Sequence, residues 1–132
     1  MTIARDTTAE HIKPLEGAIV RRYIAHAAID AGALVAKNAD ASESAEAVAT
    51  SVILAPLGVA INAAVSAGDY VDVVVFGPVV CLTGATPGLN VYASNTAGEP
   101  AESGGTHTKD TIFGYSESAT VLFVKPQIIS FS

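Results

Sequence analysis

Tryptophan is absent from this chain of 132 residues, cysteine and methionine occur once each, and lysine plus arginine total only seven. The lone Cys81 rules out an intrachain disulfide framework and a zinc ribbon. Its setting, Val79-Val80-Cys81-Leu82, predicts a small buried apolar side chain. With so few basic residues, Arg21-Arg22 is the one adjacent pair. Nucleic acid, which needs clustered Lys and Arg to neutralise its phosphates, is therefore not an expected partner. Long apolar runs are missing as well. The longest, Val73 to Leu82, contains Gly77-Pro78 and falls well short of the roughly 18 residues of a membrane-spanning helix. The opening residues lack the charged-then-apolar layout of a signal peptide, so a chain made in the cytoplasm, with no membrane partner, is expected.

What is present is apolar and small. Hydrophobic residues make up 50% of the chain and charged residues 15%, against an average near 25% charged. That balance excludes a largely disordered protein. There are 24 alanines and 15 valines but only four Phe and four Tyr. With a mean hydropathy of +0.43, part of the apolar surface is expected to be covered by another chain. The net charge of −6 is uneven: residues 1–37 carry +1 and residues 38–132 carry −7. Such asymmetry suits a polar arm that docks on a partner, or two simply solvated surfaces.

Residues 1–17 mix polar types without periodicity, and Pro14 and Gly17 break any helix, which predicts an extended N-terminal arm ahead of a β domain over 18–132. Strands are expected at 18–25, at Leu34-Val35, at Val52-Ile53-Leu54 and at 57–61. The polar 38–51 stretch reads as a loop or one weak helix. Tyr70 to Phe76 is the clearest strand, with Val71, Val73 and Val75 on one face. Gly77-Pro78 is expected to interrupt it before a further strand from Val79 to Leu82. Thr86-Pro87-Gly88 reads as a turn before a strand at 89–93, and a long 94–111 loop separates it from strands at 112–115 and 119–124. Lys125-Pro126 closes the last of them, and Gln127 to Phe131 forms a tail strand. Short strands with turn signals every 8–12 residues predict an all-β sandwich or small barrel.

An internal repeat sharpens that expectation. At an offset of 56, residues 32–65 match 88–121 at ten of 34 positions, among them Gly32/Gly88, Val35/Val91, Glu43/Glu99, Gly58/Gly114, Ala63/Ala119 and Val65/Val121. The pattern describes a duplicated strand unit with a glycine inside its second strand, where a bulge or close backbone approach is expected.

Chemistry-bearing groupings are scarce. His11, His26 and His107 have no metal-ligand spacing with one another or with Cys81. No nucleophile stands beside His107 in the sequence. Asp69 and Asp72 are three apart and do not pair for acid–base work; Asp69 is expected to close the Ser66–Asp69 turn. Phosphate-loop and nucleophile-elbow patterns are absent. The residues point to no catalytic site, no metal and no cofactor.

Several segments carry a family likeness: Ala31-Gly32 ahead of a strand, Leu57-Gly58-Val59-Ala60, Ala67-Gly68-Asp69-Tyr70-Val71-Asp72-Val73 and Gly77-Pro78-Val79. Pro87-Gly88-Leu89-Asn90-Val91-Tyr92-Ala93, Ile112-Phe113-Gly114-Tyr115 and Ser118-Ala119-Thr120 continue it. Over residues 18–125 the chain resembles the small capsid decoration, or capsid cement, proteins of tailed bacteriophages; the polar 38–51 segment and the tail after Pro126 depart from the pattern. The resemblance implies a homotrimer on the outer surface of the virion head. There it would bridge and stabilise the major capsid protein lattice, with no enzymatic role. Under that reading Arg5, Lys13, Arg21 and Arg22 are the expected capsid contacts, by addition of a strand to a capsid sheet edge. The residues alone leave open another phage structural module, such as a head-fibre base or tail component, and a small-ligand-binding β barrel.

Overall fold

A computed structural model describes residues 3–37, 43–46, 56–94, 98–102 and 109–130. These hold β1 (Ala4–Arg5), β2 (Lys13–Pro14), β3 (Ile19–Ala25), β4 (Leu34–Lys37), β5 (Glu43–Glu46) and β6 (Pro56–Ala60). They continue with β7 (Tyr70–Val80), β8 (Leu82–Thr83), β9 (Asn90–Ala93), β10 (Pro100–Ala101), β11 (Lys109–Ser116) and β12 (Val121–Ser130), and one 3-10 turn lies at Ala9–His11. The architecture is all-β, as composition and turn spacing predict. The expected strand at 52–54, most of the 38–51 segment, His107 and Phe131 lie outside the described residues.

The first half closes on itself. β7 pairs antiparallel with β3, β3 runs parallel to β5, β5 pairs with β4, β4 with β6, and β6 returns to β7. Alternation then sorts the side chains. Ala25, Val35, Ala60, Val71 and Val73 fill the barrel-like ring together with Ile29, Ala33 and Ala64. Leu34, Ala36, Val59 and Val74 point the other way, into a larger core with Val79, Leu82, Val91, Phe113, Leu122 and Val124. Each fully buried Leu, Val or Phe here contributes about 1.5–3 kcal/mol. The ring interior is filled by small residues, four alanines and three valines beside Ile29.

The second half hangs on the same long strand. The C-terminal part of β7 pairs with β12, and the sheet continues β12–β11–β9–β10. Two proline expectations are corrected here. Gly77-Pro78 does not end β7; it marks a change of partner, from β3 (Ile19↔Phe76) to β12 (Val124↔Gly77). A side chain at residue 77 would meet the Ala18 backbone at 2.8 Å, so the crossover of chains there needs glycine. Lys125-Pro126 does not end β12 either. The ladder steps from Val124↔Gly114 to Gln127↔Ile112, so these two residues oppose Phe113 alone as a bulge, where a missing N–H is tolerated.

Registers recur at the offset of the sequence repeat. Leu34↔Val59, Val35↔Gly58 and Ala36↔Pro56 reappear as Asn90↔Tyr115, Val91↔Gly114 and Tyr92↔Ile112. Ala36↔Ala45 and Lys37↔Ser44 reappear as Tyr92↔Ala101 and Ala93↔Pro100. Beyond Ser116 the offset fails, because residues 61–69 join β6 to β7 whereas 117–120 join β11 to β12. Val65 is consequently an exposed turn residue while its sequence match Val121 begins β12.

Residues 3–17 do not stand away from the body as an arm. β1 pairs with β8 and β2 with β7. Ile3 and Ile12 are part of the larger core, and the Asp6 amide donates to the Cys81 carbonyl at 2.9 Å. Ile3 and Ile12, on either side of a polar stretch, seat the segment together with these strand pairings.

Candidate functional site

The outer face of the second-half sheet carries a row of apolar rings. Ile19 stands opposite Phe76 in register and Tyr115 opposite Phe123. Phe76 meets Phe123 edge-on with ring centres 5.3 Å apart, and Tyr115 stacks on Phe123 at the same separation, 19° from parallel. Leu122 and Val124, alternating with Phe123, lie in the core, so the row is held on a rigid strand. Three of the four stay open to solvent, Ile19 at 54%, Phe76 at 43% and Tyr115 at 37%, while Phe123 is half-buried. Ring contacts and cross-strand register join these side chains into one apolar strip.

The N-terminal segment carries a polar cluster of its own. The Arg5 guanidinium donates to Glu99 Oε2 at 2.7 Å, to the Ala31 carbonyl at 3.1 Å and to Asp30 Oδ2 at 3.4 Å. Beside it, Asp6 is buried and accepts the Thr8 amide at 2.9 Å. His11 Nδ1 lies 2.9 Å from Asp6 Oδ2; an ionised carboxylate only accepts, so Nδ1 donates. The Thr8 amide holds the Asp6 carboxyl below its usual range, against the opposing effect of burial, and His11 adds to the lowering. Arg5, Thr7, Asp30, Ala31 and Ala63 line an open depression of about 270 Å³. Its arginine is already neutralised by Glu99 and Asp30.

β3 places its two arginines on opposite faces. Arg22 forks onto Asp72, at 2.9 and 3.3 Å, and lies over the Tyr70 ring. That pair lowers the Asp72 carboxyl and raises the guanidinium. Arg21 lies over Tyr23, 5.5 Å from the ring centre. Of the four residues expected to contact a capsid, Arg5 and Arg22 thus have their charge engaged within the chain. Lys13 on β2 and Arg21 on β3 present exposed side chains. The four do not form one basic site.

Asp69 closes its turn as expected, accepting the Val65 and Ser66 amides at 3.1 Å each. The Asp6–His11 pair was not legible, since residues five apart on no regular element carry no periodic signal. Cys81 is fully buried, and burial pushes its thiol pKa up. Among the described residues no group of three His, Cys, Asp or Glu could hold a metal ion. No helix there is long and apolar enough to cross a membrane. Comparisons with protein-family models, with curated proteins and with solved structures find no match.

Proposed function

We propose that the chain is a structural protein that acts by binding other chains: a capsid decoration protein of a tailed bacteriophage. In this reading it assembles as a homotrimer on the outside of the expanded head and stabilises the major capsid protein lattice. The observation that carries the binding role is the row of exposed Ile19, Phe76 and Tyr115, with Phe123 half-buried between the two rings, on a sheet whose other face is core. The decoration role rests on the sequence resemblance. A filled ring interior weighs against the alternative of a small ligand held inside the barrel.

The physical mechanism needs no chemistry. A ligand that binds the assembled lattice and not its free subunits stabilises the lattice by mass action, and many copies on one shell act together. Co-sedimentation of the purified chain with expanded tailed-phage heads, unexpanded heads and isolated tails tests the reading. It predicts retention on expanded heads alone. Retention on tails supports a tail component instead, and retention on none of them removes the proposal.

A further inference from the structure

We propose that the outer edge of β3, from Ile19 to Tyr23, accepts an extended segment of another protein that places an acidic side chain opposite Arg21. One edge of β3 is fully used by β7, from Ile19↔Phe76 to Ile24↔Tyr70. On the other edge, among the described residues, β5 pairs only with Ile24 and Ala25. Residues 19–22 are exposed, with Val20 at 41%. An edge with unpaired backbone groups is a template for another strand.

The chain itself shows what such an edge takes. β3 and the C-terminal part of β7 hold the same place in the two halves: Val74 and Val73, paired with Val59 and Ala60, face Val20 and Arg21, just as Phe123 and Leu122, paired with Tyr115 and Ser116, face Pro78 and Val79. In the second half the corresponding edge is covered by an extended segment. Pro14 pairs with Val79, Lys13 with Val80, and the Leu15 amide donates to the Pro78 carbonyl at 2.9 Å. Pro78 and Val79 thus correspond to Val20 and Arg21, whose outer edge has no such strand among the described residues.

Charge selects the occupant. Arg22 is taken by Asp72, whereas Arg21, an exposed residue, makes its ring contact with Tyr23. Pairing two copies of β3 about Arg21 or Arg22 would set arginine against arginine, which opposes self-association at that register. A foreign strand with a carboxylate facing Arg21 meets the opposite situation, so repulsion and attraction act together for specificity. Edge and charge would serve any extended acidic partner, whether or not the chain decorates a capsid.

The test is amide-shift mapping of the isotope-labelled full chain with two blocked peptides, Thr-Val-Glu-Val-Thr and Thr-Val-Lys-Val-Thr. The expected result is shifts confined to residues 19–25, with the glutamate peptide bound roughly fivefold more tightly. Arg21→Glu should reverse that order, and Arg21→Gln should abolish the difference while keeping the circular dichroism of the fold. Shifts elsewhere, equal binding of both peptides, or no shift at millimolar peptide would overturn the proposal. Concentration-dependent shifts of the amides of residues 20–25 without peptide would also overturn it, by showing that a second copy occupies the edge.

Discussion

Gly58 and Gly114 hold the same place in two ladders: Gly58 faces Val35 between β4 and β6, and Gly114 faces Val91 between β9 and β11. Both have positive φ, +153° and +146°, and a Cβ on either would run into a backbone carbonyl, that of Val74 or of Phe123. Each glycine lets a neighbouring strand close onto a bulge. Alanine at either position should cost about 3 kcal/mol or more, from strain plus forced separation of strands. Denaturant midpoints measure this. A loss below about 0.5 kcal/mol at either site would contradict the close approach.

Arg5 joins the N-terminal segment to the second half through Glu99. Its side chain is 13% exposed and that of Glu99 33%, so removing the cation leaves a partly buried carboxylate unpaired. Arg5→Ala should cost about 1–2 kcal/mol. Deleting residues 2–16 should do far more, because Ile3 and Ile12 leave the core with it. Sequence reasoning treats that segment as separable from the domain; its packing makes the truncation a folding variant. Thermal unfolding of both variants decides the matter, and an unchanged midpoint after deletion would contradict the packing.

Acid should loosen the same segment. The folded Asp6 carboxyl lies below its usual value of 3.8, so its contribution is present above that pH and is lost as pH falls through the lower folded value. Asp6→Asn should flatten this part of the acid limb while the wild-type chain retains it. Amide exchange of Thr8, whose N–H bonds Asp6, is the local readout. Equal acid sensitivity in both proteins would remove Asp6 as the cause.

Cys81 should react with thiol reagents only when the core opens. It is fully buried with a raised thiol pKa, so little thiolate is present near neutral pH and none is reachable. Labelling should follow the unfolding equilibrium as urea is added. Rapid labelling without denaturant would show that the core around β7 and β8 is not closed.

The fold class could be read from turn spacing and valine alternation, because a half-buried strand writes its period into the sequence. Gly58 and Gly114 were visible for the same reason, as glycines inside apolar runs at one offset. Pro78 and Pro126 misled, since their tolerance depends on a partner change and a bulge, which are properties of neighbouring strands. The seating of residues 3–17 was hidden because two isolated isoleucines have no period. The aromatic row was hidden too: Ile19, Phe76, Tyr115 and Phe123 come together only through register.

The central claim is that this chain assembles with other chains through the surface that holds that row. Its mass in solution by light scattering, at micromolar concentration, addresses the claim most directly. The account predicts three times 13.4 kDa, falling toward the single-chain mass when Phe76 and Tyr115 are both changed to Ser. A wild-type chain that stays at 13.4 kDa across the concentration range would contradict the homotrimer and leave the aromatic row without its assigned role.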